Sequence, residues 1–234
     1  MKLRLGLVVS LLVPVLAGAQ PEEIVVTGSR VTGSRVGYAE MPAVTVPKTA
    51  DFLVQNIRLV NDSRAPDLRR QEIIQTIESL MRLAARSRNI ELSYGEGFLL
   101  PIDLSEEALD LIDDNDRIDT SYVDIYVKVK LDASVDAKSQ ISALREFIQK
   151  SPKTGRTEID TLGDIGLSVV NPERYRYEII AAISGENAKL KQALGAACKL
   201  KLSGLEGRVA WERTSVSELT LFIPYGIEVT DCAY

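Results

Sequence analysis

The stretch YVDIYVKVKL, from Tyr122 to Leu131, decides the fold class of this chain. Its apolar side chains alternate strictly with charged or aromatic ones, and the apolar set is Val123, Ile125, Val127, Val129 and Leu131. Residues that alternate with a period of two point to opposite faces of a strand. The stretch therefore predicts a strand with one apolar face, and the neighbouring sequence is expected to cover that face.

An amphipathic helix is predicted before this strand. The segment DFLVQNIRLV (51–60) is strand-like, and Pro66 then suits the first turn of a helix. Apolar residues recur at helical spacing from there to Ala84, with charged residues on the other faces. The segment NIELSY (89–94) resumes a strand, so the first unit is strand–helix–strand.

A second helix is predicted after the strand. Either Ser134 or Asp136 can cap it, and Pro152 ends it. The segment DIGLSVV (164–170) is again strand-like.

The C-terminal part is predicted to repeat this plan. The segment RYRYEIIAAI (174–183) alternates like a strand, and Ser184 can cap a helix over 186–202. The segments 205–213 and 217–229 are predicted to be further strands.

Repeated strand–helix–strand units predict the α+β class, with a mainly antiparallel sheet packed by amphipathic helices. The folded domain is expected over 50–234. It can be one unit or two subdomains of about 50–120 and 121–234.

The N-terminus predicts export. Lys2 and Arg4 precede an apolar run that is too short to span a bilayer, and Ala17-Gly18-Ala19 has the small-x-small form of a cleavage site. We expect residues 1–19 to be a signal peptide cleaved after Ala19. The mature protein is then periplasmic or secreted, with no integral membrane segment.

Charge and composition narrow the function classes. The formal charge is −5, and loss of the two basic leader residues makes it more negative, so no electrostatic footprint for nucleic acid is present. The chain has no histidine, which excludes imidazole-based triads and metal sites. No nucleophile elbow or phosphate loop occurs, so we predict no catalytic residue and no cofactor. A hydrolase with an unrecognised serine or carboxylate site is the alternative.

Residues 20–49 predict a flexible arm. Glycine and proline punctuate it, and PEEIVVTGSRVTGSRV (21–36) holds the sequence VTGSR twice in succession. Within this arm Ile24, Val25 and Val26 form a short β-prone run next to the predicted cleavage site.

The segment EEIVVTGSR, from Glu22 to Arg30, resembles the TonB box of TonB-dependent outer-membrane receptors. That resemblance implies docking by strand addition, with TonB or an outer-membrane receptor as partner. The residues that would pair are Glu23, Ile24, Val25, Val26, Thr27 and Gly28. The rest of the chain is too short and too helical for a receptor barrel. Two other readings stay open: a leader without structure, or a strand that joins the chain's own sheet.

The body of the chain resembles the SIMPL-domain proteins, which are exported bacterial α/β proteins. The likeness is carried by ADFLVQNIRLVNDSRAPDLRRQEIIQTIESLMRLAARSRNIELSYGEG (50–97) and by YVDIYVKVKLDASVDAKSQISALREFI (122–148). It implies an envelope protein that self-associates and has no established enzymatic chemistry. The first function hypothesis is therefore a non-enzymatic binding or accessory protein of the periplasm. The second is a self-assembling structural protein of the envelope.

Two further features are candidates for sites. The run DDNDRID (113–119) reads as a loop whose Asp114, Asp116 and Asp119 offer hard oxygen ligands, although the EF-hand spacing is not met. Cys198 and Cys232 are the two cysteines, and export would allow them to form a disulfide. Composition favours a solvated loop over a metal site for the first, and leaves the pairing of the cysteines open.

Overall fold

The computed structural model describes residues 23–26, 41–95, 99–104, 112–117, 119–195, 198–230 and 232. Its strands are β1 (Glu23–Val26), β2 (Val46–Thr49), β3 (Phe52–Asn61), β4 (Ile90–Tyr94), β5 (Leu100–Pro101), β6 (Asp113–Arg117), β7 (Thr120–Lys130), β8 (Thr157–Val170), β9 (Lys199–Ser203), β10 (Ala210–Arg213), β11 (Glu218–Phe222) and β12 (Gly226–Thr230). Its helices are α1 (Pro66–Ala85), α2 (Ala137–Lys150) and α3 (Arg176–Leu194), and a 3-10 turn (Pro172–Tyr175) leads into α3.

The stretch quoted first forms most of β7, which lies in a seven-stranded sheet. The strand order is β1-β8-β3-β7-β4-β5, with β6 paired to β7 outside this path, and every pair is antiparallel. Apart from the short strands β5 and β6 between β4 and β7, the connectivity β3-α1-β4-β7-α2-β8 with β3 and β7 in the centre is the split βαβ, or ferredoxin-like, arrangement. The expected α+β class is confirmed.

One face of this sheet carries the core, as the alternation predicted. Alternate residues of β3 and β7 are fully or almost fully buried beneath α1 and α2. The cluster includes Leu53, Ile57, Leu59, Val123, Ile125, Val127, Val129, Ile73, Leu80 and Leu144. Each such side chain contributes roughly 1.5–3 kcal/mol through its removal from water.

The ends of α1 and α2 follow the predicted signals. Pro66 is the first residue of α1, where its missing N–H costs no intrahelical bond. At α2, Asp136 is the cap, and its carboxylate accepts from the backbone N–H of Ser139 at 3.0 Å. The helix ends at Lys150, two residues before Pro152.

The remaining elements extend the same core. Strands β10, β11 and β2 form a three-stranded sheet, while β9 and β12 form a two-stranded ribbon. Ile179 and Ile183 of α3 and Leu219 and Leu221 of β11 belong to the core cluster that also fills the main sheet. The main sheet, α3 and the three-stranded sheet therefore share one continuous apolar core, while a small second cluster lies on the other face of the main sheet.

The predicted boundary at residue 50 needs correction. Val46 of β2 is buried, and Lys48 forms an ion pair with Glu178 of α3 at 2.8 Å. The segment 46–49 pairs with β11, whose register runs from Thr49 opposite Glu218 to Val46 opposite Leu221. Part of the predicted flexible arm is thus a structural strand, because β11 supplies a partner that composition alone does not reveal.

The predicted strand at 174–183 is wrong, since this segment enters α3. The alternation of tyrosine and arginine at its start imitates a strand, but Ile179 and Ile183, four residues apart, share the buried face of a helix. Tyr177 is 80% exposed. Ser184 therefore lies inside α3, which ends at Leu194 and is followed by β9.

The predicted strand at 217–229 is interrupted. It is divided at Pro224 into β11 and β12, which belong to different sheets. A proline cannot donate to a sheet ladder, and this favours a break at that position.

Candidate protein-docking edge

Strand β1 lies on the edge of the main sheet, against β8. The register places Glu23 opposite Val170 and Val26 opposite Leu167. This part of the predicted flexible arm is thus a strand added to the chain's own sheet, which was one of the open readings. Thr27 and Gly28 lie outside the described residues, as does the predicted signal peptide 1–19.

The backbone of β1 presents two different sides. The carbonyl of Ser168 accepts from the Asp51 N–H at 2.9 Å, and the Val170 N–H donates to the Asp51 carboxylate at 2.8 Å, so both face β3. Because antiparallel strands alternate the direction of their backbone groups, Leu167 and Val169 face β1. Opposite them, Ile24 and Val26 point their N–H and C=O groups toward β8.

The backbone groups of Glu23 and Val25 consequently point away from β8. Strand β1 is the last strand in the sheet order, and no strand among the described residues pairs with this outer side. An edge of this kind offers unpaired donors and acceptors to another extended chain.

The side chain of Glu23 is held by a buried ion pair. Its Oε2 lies 2.6 Å from Nζ of Lys128 on β7, and its other oxygen accepts from the Ser168 hydroxyl. The two charged side chains are only 7% and 4% exposed. The Lys128 ammonium also lies 4.0 Å from the centroid of the Phe52 ring, a cation–π contact. Removal of one partner would leave the other charge buried and without compensation.

A second carboxylate, that of Glu91, lies farther from the Lys128 ammonium and interacts with it more weakly. Glu91 of β4 is directly opposite Lys128 in the register, and its Oε2 is 3.6 Å from Nζ. Its side chain is 55% exposed, so solvent screens this contact. Glu23 is therefore the principal counter-ion of the buried lysine.

The apolar residues of β1 pack on both faces of the sheet. Ile24 is buried in the main core, on the face covered by the helices. Val25 packs on the opposite face against a small cluster of Phe52, Val54 and Leu99. The edge thus recognises a carboxylate, one buried aliphatic side chain and an extended backbone.

The acidic run is not the loop that its composition indicates. Residues 113–117 form β6, which pairs with β7 at Asp113–Tyr122 and at Arg117–Thr120. Asp114 and Asp116 lie in this strand, and Asp119 is exposed in the turn that follows. The described part of the chain contains no group of three or more side chains that could hold a metal ion.

Cys198 and Cys232 are joined by a disulfide, with their Cα atoms 4.1 Å apart. Cys198 immediately precedes β9 rather than lying in a helix, and Cys232 follows β12. The bond therefore closes one end of the β9–β12 ribbon.

Glu72 is a polar centre that the sequence did not single out. Its Oε2 accepts from the Asn61 amide and the Ser63 hydroxyl, both at 2.7 Å, and from the Arg156 N–H at 3.1 Å. These hydrogen bonds, that from Asn61 first, lower the pKa of Glu72 below its ordinary value. A carboxylate whose oxygen is occupied in this way ties the end of β3 to the start of β8 and is a poor general base.

A surface pocket of about 460 Å³ lies between β8 and α2. Gln55, Arg145 and Asp164 line part of it, and the Gln55 amide already donates to the Leu162 carbonyl at 2.9 Å.

Comparison with protein-family models, curated proteins and solved structures finds no match to this chain. Its site is therefore interpreted from its own geometry. Among the described helices, none has the length and apolar character needed to cross a membrane.

Proposed function

We propose that this chain is a non-enzymatic binding protein of the bacterial envelope that docks on a protein partner by β-strand addition at β1. The observation that carries the proposal is the outer side of β1, where the backbone groups of Glu23 and Val25 have no strand partner among the described residues. A partner strand can add there without disturbing the pairing between β1 and β8.

TonB is the partner that we propose for this edge. The support is the resemblance of Glu22–Arg30 to a TonB box, since that box pairs its backbone with the edge of a TonB sheet. Main-chain pairing provides affinity in this mode, and it places few demands on side chains that are already packed inward.

A proline substitution can test the outer side alone. In Val25→Pro the outward N–H is lost, while the inward groups of Ile24 and Val26 are unchanged, and proline is tolerated at a sheet edge. Val25→Ala is the matched control, because it shortens the same side chain and keeps the N–H. We expect the periplasmic domain of TonB to capture the full mature chain and the Val25→Ala variant with similar affinity. Its affinity for the Val25→Pro variant should be lower by about tenfold or more, which corresponds to a lost pairing of about 1.4 kcal/mol.

Equal capture of the two variants would reject docking at β1. Circular dichroism and thermal unfolding of both variants must match the unmodified chain, so that lost capture reports the edge and not the fold. Deletion of the whole predicted arm is unsuitable here, because it would also remove β2.

A further inference from the structure

We propose that the edge of β8 is a strand-acceptor site that also takes the Glu23–Val26 segment of a second copy of this chain, so that two copies exchange arms. This inference concerns the inner side of β1, whereas the proposed docking of a partner concerns its outer side. The two can therefore succeed or fail separately.

The acceptor is defined by the contacts that β1 now makes. Backbone groups of Leu167 and Val169 pair with the segment, and the Ser168 hydroxyl and the Lys128 ammonium hold its carboxylate. A buried lysine without a counter-ion is costly, so an emptied edge demands an acidic strand. Each of these contacts is provided by residues far from β1 along the chain, and none requires that the segment belong to the same molecule.

The occupant is a second copy because that molecule carries the fitting segment. A strand that is to fit must offer a carboxylate at the position of Glu23, followed by an aliphatic residue that enters the core as Ile24 does. In another copy the same four residues supply these groups in the same register. Exchange of an identical element between protomers is a low-cost route to dimers.

The length of the connection permits the exchange. Residues 27–45 separate β1 from β2, and β2 is fixed in the fold by its pairing with β11. Fully extended, that connection reaches about 60 Å. The repeated VTGSR at 26–30 and 31–35 contributes to this length.

The same tether sets the balance between the closed and exchanged states. A segment that is covalently linked to its own acceptor has an effective concentration there of about the millimolar range. Exchanged and closed forms share their contacts, so the unmodified chain is expected to be closed at micromolar concentration and to exchange arms as its own concentration approaches the millimolar range. Exchange becomes visible once pairing within one molecule is disabled.

Charge reversal disables pairing of the arm within one molecule but still permits exchange between two molecules. A full chain with Glu23→Lys and a second full chain with Lys128→Glu each place like charges together within one molecule. In a mixed dimer each reversed group meets a partner of opposite charge, so both interfaces are restored. We expect each variant alone to have the mass of a monomer by light scattering, and an equimolar mixture to form a 1:1 dimer.

The matched control carries both substitutions in one chain. Glu23→Lys with Lys128→Glu restores the pair within the molecule and is expected to remain monomeric at the same concentration. A mixture of the two single variants that stays monomeric, while both retain the circular dichroism spectrum of the unmodified chain, would overturn the inference.

A second pair of variants covers the case in which charge reversal prevents folding. Ile24→Asp makes an arm that cannot enter the core, and Lys128→Met makes an acceptor that cannot bind a carboxylate. Their mixture has one intact arm and one intact acceptor. A 1:1 complex supports exchange and its absence rejects it. Neither result depends on TonB, so the docking of an outside partner is judged independently.

Discussion

At the scale of single residues, Lys128 is unusual because it is a charged residue that is buried on the face of the sheet opposite the helices. It belongs to the polar positions of the alternation YVDIYVKVKL, yet it is almost fully buried and pairs with an acid about a hundred residues earlier in the chain. Alternation predicted its face correctly. It could not predict its burial, because the groups that surround it come from β1 and β3.

Glu23→Gln should destabilise the protein more than Glu91→Gln. The first substitution leaves the Lys128 ammonium buried with only a distant, solvent-screened carboxylate, and costs about 1–3 kcal/mol in the free energy of unfolding. The second removes an exposed contact worth at most about 1 kcal/mol. Urea unfolding of the two variants measures the difference, and equal losses would show that Glu23 is not the principal counter-ion.

Glu72→Gln should have an effect that depends on pH. The pKa of Glu72 is lowered in the folded protein, first by the Asn61 hydrogen bond, so the ionised carboxylate stabilises the fold at neutral pH. That stabilisation is lost as pH falls through the depressed pKa. The gap between the unmodified chain and the variant should therefore be largest at neutral pH and shrink from about pH 5 downward.

Urea unfolding at several pH values measures this gap. Glu146→Gln is the control, since Glu146 is exposed on α2 and pairs with Lys150 four residues away. Its effect on the free energy of unfolding should be small at every pH, because both charged side chains are exposed and solvent screens their attraction. A gap for Glu72→Gln that does not change between pH 7 and pH 3 would contradict the assigned role.

At the scale of elements, the sequence predicts those whose signals are local. The period of β7, the proline that begins α1 and the Asp136 cap of α2 are all contained within a few residues. The mistakes arise where a distant partner decides the structure. The composition of β6 is that of a charged loop, and it forms a strand because β7 pairs with it. The start of α3 alternates like a strand, but the burial of Ile179 and Ile183 on one face stabilises a helix.

The candidate site divides in the same way. The β-prone character of Ile24, Val25 and Val26 can be predicted from their own types. Their placement on β8 and the ion pair of Glu23 depend on residues more than a hundred positions away.

The β9–β12 ribbon should depend on its disulfide. Replacement of Cys198 and Cys232 together by serine opens a loop of sequence separation 34, for which chain entropy predicts a loss of about 3–4 kcal/mol. Hydrogen exchange should accelerate most in β9 and β12, because that bond closes the ribbon. Reduction of the unmodified chain should reproduce the change, and unaltered exchange in both strands would contradict the role of the bond.

At the scale of the whole molecule, β2 connects the N-terminal region to the C-terminal sheet. A chain that begins at residue 41 keeps β2 and loses only the edge strand β1, while one that begins at residue 50 also uncovers the edge of β11. We expect the first to fold with a lower Tm, since it loses one buried isoleucine, worth roughly 1.5–3 kcal/mol, and leaves Lys128 without its principal counter-ion.

The shorter chain should lose cooperative thermal unfolding or aggregate. Calorimetry on the two truncated chains distinguishes these outcomes, with a chain that begins at Gln20 as reference. Similar Tm values for both would mean that β2 adds little to the fold.

The place of β1 against β8 also fixes an order of events in synthesis. Glu23 precedes its contact Ser168 by 145 residues, so β1 has no acceptor until most of the protein has been made. At about 5–20 residues per second this delay lasts roughly 7–30 seconds. During this delay the β-prone segment Glu23–Val26, whose glutamate is buried in the folded protein, is accessible to chaperones and to other nascent copies. Among the described elements β1 is made first, yet it cannot take its place before β8 has been made.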